Sequence, residues 1–380
     1  MAQEDKRGTT MLLNKLLQIM IEKNASDLFI SANLPPSAKI NGELRHLTEQ
    51  KLSEEGALDL VKDALGEKHH DAYFKDHEAN FAIFREGIGR FRVSAFWQRQ
   101  RAGMVIRRIV TEIPTVEELK LPEVLTKLIM AKRGLFLVVG GTGTGKSTSL
   151  AALLGYRNQH SRGHIITIED PIEFVHEHGK SMVTQREVGT DTESFEAALK
   201  SSLRQAPDVI LVGEIRSQEV MEYALTFAET GHLCVATLHA NNANQAIERI
   251  MHMVPKEKIG KLMFDLSLNL RGIVAQQLIP TVDGGRLAAI EVLLNSPIVA
   301  EKIATNDMGE IKEIMAKSRE LGMQTFDQAL FDLYKARKIT FEDALRHADA
   351  PNDLRLKIKL SGESRPGEEG PLKGVTVDFE

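Results

Sequence analysis

LFLVVGGTGTGKSTSL, Leu135 to Leu150, passes from an unbroken apolar run into a glycine-rich loop and then into a helical segment. A continuous apolar run bounded by such a loop fits a strand buried on both faces. The loop Gly140-Gly141-Thr142-Gly143-Thr144-Gly145-Lys146-Ser147 satisfies G-x-x-x-x-G-K-S/T in the context that this pattern requires, after a strand and before a helix. Glycines let the backbone curl so that consecutive N–H groups point inward, and the following helix adds its positive N-terminal end, which together make a concave anion site. Gly140 through Thr148 are therefore the expected cradle for ATP, with Lys146 reaching the β- and γ-phosphates and the Ser147 hydroxyl on Mg²⁺. The bland alternative is a strand-to-helix turn that binds nothing.

Beyond the loop, apolar runs alternate with helical segments. HIITIED is followed by a helix around 194 to 204, DVILVGEI by a helix around 218 to 229, and then comes HLCVATLHA. This order argues for an α/β domain whose sheet is mostly parallel. The region 256 to 350 reads mainly helical, interrupted by the strand-like RLAAIEVLL. Upstream, 11 to 21 carry Leu12, Leu13, Leu16, Leu17 and Met20 at helical spacing, a packing stripe. Short mixed signals follow: DLFI, a turn at Asn41-Gly42, a helix near 53 to 65 and the alternating FRVSAFW. The expected organisation is an α+β domain over 1–112, a proline-punctuated linker over 113–122, an ATPase domain with a helical C-terminal part over 123–350, and a mobile tail, rich in Gly, Pro and charge, over 351–380.

Composition narrows the class. With 48 basic and 53 acidic residues and a net charge of −5, nothing overall favours a nucleic-acid partner. A single cysteine, Cys234, allows neither a disulfide framework nor a four-cysteine zinc site. No apolar stretch is long enough to span a membrane, and the polar start MAQEDKRGTT is unlike a signal core, so a cytoplasmic location is expected.

Hydrolysis needs more than a cradle. Four apolar residues of Asp208-Val-Ile-Leu-Val-Gly-Glu214 carry a strand into the sheet, and Glu214 emerges where strand ends line the ligand crevice, placed to bind Mg²⁺ or to polarise water. Asp208, at the opposite end, reads as structural. The turn Glu169-Asp170-Pro171-Ile172-Glu173 gathers carboxylates around a proline, which makes Glu169 and Glu173 general-base candidates. His232 and His239 flank the last strand, and His239 at its polar end could sense the γ-phosphate.

With these motifs in this order, the chain resembles the secretion ATPase superfamily of type II secretion and type IV pili, whose boxes match ITIEDPIEFVH and TGHLCVATLH. SDLFISANLPPSAKINGEL, RFRVSAFWQ and GMQTFDQAL resemble the PilT/PilU retraction branch, and Pro297-IVAEKIAT with the extension past Asp349 leans to the PilU side. Gly141 stands where the family usually has Pro, and Ser217 where it usually has Asp. The resemblance implies a RecA-like P-loop NTPase core, a smaller PAS-like N-terminal domain and a homohexameric ring. It also implies partners: a PilT-like paralogue and an inner-membrane pilus platform protein, with the ring peripheral at that membrane. Arg90, Arg92 and Arg107 match positions from which such proteins reach the nucleotide's phosphates. Alternation sets Arg90, Arg92 and Ser94 on one face, opposite Phe91, Val93 and Ala95, so the arginines share a surface, as a phosphate clamp needs; the bland alternative is a basic strand face. Two rivals stay open: a ring component that binds ATP with little hydrolysis, and a nucleic-acid-translocating ATPase.

Overall fold

The computed structural model describes residues 2–40, 42–109 and 112–362. The chain divides into two compact units, Met1–Ile113 with Glu173–Val175, and Pro114–Ile172 with His176–Glu380.

The first unit comprises helix α1 (Ala2–Glu22), strands β1 (Asp27–Ser31), β2 (Ser37–Ile40) and β3 (Glu43–His46), helix α2 (Glu54–Asp76), and strands β4 (Glu78–Arg85), β5 (Gly89–Gln98) and β6 (Arg101–Ile109). The strands form one antiparallel sheet in the order β3-β2-β1-β6-β5-β4. The stripe on α1 is Leu13, Leu16, Leu17 and Met20, all buried, whereas Leu12 turns outward and is 42% exposed. Helix α2 starts on Ser53, whose hydroxyl accepts from the Gly56 N–H, and outruns the expected end near 65 by kinking at Gly66 (φ +60°). The fully buried Tyr73 anchors the part beyond the kink. In the turn after β2, Gly42 takes φ +85°, the left-handed region its missing Cβ permits; Asn41 lies outside the described residues.

The second unit runs through α3 (Glu123–Ile129), β7 (Gly134–Val139), α4 (Lys146–His160), β8 (Gly163–Glu169), β9 (Ser181–Glu187), α5 (Phe195–Ser202), β10 (Val209–Val212), α6 (Gln218–Glu229), β11 (Leu233–Leu238), α7 (Ala243–His252) and α8 (Lys256–Asn269). It continues with β12 (Leu270–Pro280), β13 (Arg286–Leu294), α9 (Pro297–Ala304), α10 (Ile311–Lys317), α11 (Phe326–Lys335), α12 (Phe341–His347) and α13 (Pro351–Leu360). The sheet order is β13-β12-β7-β11-β10-β8-β9, parallel except for β13, which runs antiparallel to β12. Alternate residues of β7 serve opposite layers: Leu135, Leu137 and Val139 join the core under α5 to α13, and Phe136 and Val138 the core under α3 and α4. Both faces are covered, which is why this strand reads as an unbroken apolar run. Each of the five side chains, at most 1% exposed, contributes about 1.5–3 kcal/mol.

Two expectations need correction, and one strand went unread. The segment 270 to 280 is a strand, not part of a helical region: Gln276 and Gln277 interrupt the apolar run and hide its period, although Gln276 is 2% exposed. Strand β9 gave no signal because Val183 is the single buried apolar residue in SMVTQRE. The stretch expected as tail begins with an ordered helix, α13, which opens on Pro351 and buries Leu354 and Ile358 in the core. Residues 363–380 lie outside the described residues.

One buried carboxylate sits in β13. Burial pushes the carboxyl of Glu291 up to about 7; Asp349 adds to the rise, while the backbone N–H groups of Ala243 and Phe326 and the charge of Lys312 oppose it. This lies above the ordinary 4.5, so the folded chain holds the proton to higher pH. The linked stabilisation is complete below 4.5 and is lost as pH rises through about 7. Thermal melts are therefore expected to show stability falling across that window by at most about 3 kcal/mol, a slope that Glu291→Gln removes. Equal slopes in the two proteins would assign the titration elsewhere.

Candidate active site

The loop between β7 and α4 curls as its glycines predict. Gly143 and Gly145 take φ +76° and +86°, and Gly145 is the residue at which α4 begins, with no side chain capping it. Helices α5, α6 and α7 are instead capped by Ser194, Ser217 and Asn242. No side chain caps α4, and an uncapped helix N-terminus is where backbone N–H groups bind an anion such as phosphate. A Cβ on Gly140 would lie 2.6 Å from the Thr144 hydroxyl and 2.7 Å from the Gln276 carbonyl, so a side chain is barred there. At Gly141 it would meet only Thr144 Cγ2 at 3.7 Å, so this variable position has room for another residue. Lys146 Nζ donates to the Gly140 and Gly141 carbonyls at 2.8 and 2.6 Å, and Thr144 Oγ1 donates to Gly141 at 3.0 Å. Ser147 and Thr148 follow in the first turn of α4.

A residue that sequence reasoning missed holds this loop. From β12, Gln276 Nε2 donates to the Thr144 carbonyl at 2.9 Å, while its Oε1 accepts from Ser149 Oγ at 2.8 Å. A polar residue interrupting an otherwise apolar run was the available signal, because a buried amide needs partners.

Parallel pairing brings the carboxyl ends of β8, β10, β11 and β7 to one edge of the sheet, and Leu238 lies opposite Val139, the residue before the loop. Glu214 follows β10, two strands from β7 and so about 10 Å across the sheet. Its side chain is 15% exposed, and both oxygens are engaged: Oε1 lies 3.1 Å from His239 Nε2, and Oε2 accepts from Arg216 Nε at 2.7 Å. Arg216, also missed in the sequence, reaches on to Asp170 Oδ2 at 3.5 Å and so links the ends of β8 and β10. The Thr237 hydroxyl donates to the Gly213 carbonyl, and Ile215 N donates to the Thr237 carbonyl at 2.9 Å, which ties the end of β11 to the Glu214 turn. Ser217 caps α6, accepting from Val220 N as an Asp would. Glu169 Oε1 accepts from Thr167 Oγ1 at 2.6 Å and Gln185 Nε2 at 3.2 Å.

Other candidates are placed elsewhere. His232 precedes β11, its Nδ1 3.1 Å from Thr230 Oγ1 and its carbonyl accepting from Gly134 N. That is the opposite end of the strand from the phosphate loop, about 20 Å away along its length. Glu173 belongs to the short stretch grouped with the first unit. Asp208 accepts from the His164 N–H at 2.8 Å, a structural role. Within the first unit, Arg92 on β5 lies directly opposite Arg107 on β6, both exposed, and Phe91, Val93 and Ala95 are buried beneath. Arg107 Nε donates to Asp27 at 2.8 Å. Like charges facing across a strand pair repel, and the Asp27 carboxylate on Arg107 offsets that repulsion. Arg90 shares the β5 face of Arg92.

Among the described residues no group of three or more His, Cys, Asp and Glu could hold a metal ion. Among them, too, no helix is long and apolar enough to cross a membrane.

The family model described as Type II/IV secretion system protein matches residues 2–288. The type IV pilus ATPase PilU of Pseudomonas aeruginosa is 61% identical over 355 residues, 93% of each chain. The type IV pilus retraction ATPase PilT of the same organism is 40% identical over 344 residues, 90% of this chain and all of that one. The crystal structure of the pilus retraction motor PilT with bound ADP superposes with a TM-score of 0.85 at 40% identity, covering 90% of this chain and 98% of that chain.

Proposed function

Because the chain belongs to the type II/IV secretion system protein family, we propose that it drives type IV pilus retraction as a homohexameric ring acting with a PilT-like paralogue. It is a pilus-associated motor ATPase with a two-domain RecA-like fold. The observation that carries the hydrolytic part of the proposal is the Glu214 carboxylate, held by His239 and Arg216 at the same edge of the sheet as the phosphate loop. A module that merely binds nucleotide needs no such group.

In this scheme Lys146 exchanges the Gly140 and Gly141 carbonyls for the β- and γ-phosphates, while the loop N–H groups and Thr148 surround them. Ser147 and Glu214 would hold Mg²⁺, which supplies charge neutralisation at the β- and γ-oxygens. Glu214 orients the attacking water, with Glu169 and Glu173 the alternative bases, and His239 senses the γ-phosphate through its contact with Glu214. Arg90, Arg92 and Arg107 are the groups proposed to reach the phosphates, where a cation stabilises the charge that develops during transfer. Hydrolysis can move one domain against the other only if ATP and ADP differ in affinity for the open and closed arrangements, and in this reading the ring passes that motion to an inner-membrane platform protein from the cytoplasmic side.

The test is genetic. Deleting this protein is expected to weaken or abolish twitching, and supplying it to a strain that lacks the PilT-like paralogue is expected not to restore movement. Retraction by this protein alone would overturn the accessory role. The net charge of −5 also predicts an ATPase rate indifferent to added DNA or RNA; stimulation by either would favour translocation of nucleic acid.

A further inference from the structure

Glu291 takes no part in the chemistry above, yet it is a fully buried carboxylate with partners on two separate helices. It lies opposite Ala275 on β12, which lies opposite Val139, so it belongs to the strand row that ends at the phosphate loop. One oxygen accepts from the N–H of Ala243, the first residue of α7, at 2.8 Å. The other accepts from the N–H of Phe326, the first residue of α11, at 3.4 Å. Each helix already has its own cap: Asn242 accepts from Gln245 N, and Thr325 forms a reciprocal box with Gln328. Glu291 thus takes an N–H that each cap leaves over, and the positive ends of two helices meet on one carboxyl group.

The position of α7 gives this contact its consequence. The helix begins just past His239, so wherever its first turn is anchored, the segment carrying His239 is anchored as well. On the other side, Asp327 in the first turn of α11 accepts from Asp349 N and Ala350 N at 2.8 and 3.1 Å, just before α13. We propose that Glu291 is a positioning residue that ties α7 to α11, so that His239 is held against Glu214 by the C-terminal helices and not by β11 alone. The inference rests on the role assigned to His239 above.

Glu291→Gln tests it in the full-length chain. The amide fills the same volume but offers one acceptor oxygen, so it can satisfy only one of the two N–H groups. ATP turnover is expected to fall about tenfold in kcat, with KM changing less than about twofold. Hydrogen exchange should quicken in peptides covering 243–250 and 326–333, and not across the central strands. Glu291→Asp, with both oxygens retained but set back, should fall between the two proteins. Unchanged kcat in both variants overturns the proposal. So does a loss accompanied by faster exchange throughout the unit, which would mark Glu291 as a general stabiliser. His239→Ala, assayed in parallel, separates the two failures: if it is impaired while the Glu291 variants are normal, only the tie fails, and if it is normal, the sensing role of His239 fails too.

Discussion

Glu214→Gln is expected to lower steady-state phosphate release by about 10²–10³-fold while ATP binding stays within a few-fold. The amide has nearly the same shape, so the Glu214 turn, held through Thr237 and Ile215, should persist. What disappears is the negative charge between His239 and Arg216, and with it the group that can polarise water or share in holding Mg²⁺. Because both contacts are partly solvated, their loss should cost no more than about 1 kcal/mol of stability, so a melting temperature close to wild type is part of the expectation. Phosphate release measured beside equilibrium binding of a fluorescent ATP analogue checks it. A variant that turns over at the wild-type rate would move the general-base role to Glu169 or Glu173.

Gly145→Ala should be among the most damaging single changes in the phosphate loop. Two penalties coincide there. The backbone sits at φ +86°, which costs a residue with a Cβ about 1–2 kcal/mol. The new Cβ would also lie 2.8 Å from Gln276 Nε2, the atom that holds the Thr144 carbonyl. Gln276 is walled in on β12, so relief requires giving up its hydrogen bonds, each worth about 0.5–1.5 kcal/mol. The loop N–H groups then lose their inward aim, and ATP affinity is expected to drop about a hundredfold or more, seen by calorimetry and as loss of the thermal stabilisation that ATP confers. Gly143→Ala is the control. Its φ is similar at +76°, but no atom lies within 4 Å of the added Cβ, so only the strain applies. If the two variants lose affinity equally, backbone strain accounts for the effect and the Gln276 clasp does not.

Much of this could be read from the chain alone because the physics is local. A phosphate loop is made by consecutive residues, and strands covered on both faces appear as continuous apolar runs, as in Leu135 to Val139 and Val209 to Val212. The alternation in β5 that set Arg90 and Arg92 opposite Phe91 and Val93 is equally local, and so is the amphipathic stripe of α1. The resemblance to the PilT/PilU branch, with its lean to the PilU side, is matched by 61% identity to PilU against 40% to PilT.

The tertiary structure alone decided what depends on partners far along the chain. Gln276 looked like an interruption because its partners, Thr144 and Ser149, are brought beside it only when β12 pairs with β7. Arg216 acquired a role when parallel pairing set the ends of β8 and β10 side by side. In TGHLCVATLH the polar end already favours His239 over His232, and the pairing of Leu238 with Val139 sets that end in register with the residue before the phosphate loop. Glu291, an isolated acid in an apolar run, became a junction once two helix N-termini converged on it. Sequence records which groups can donate, accept or carry charge; which of them are removed from water together is settled only when the sheet is assembled.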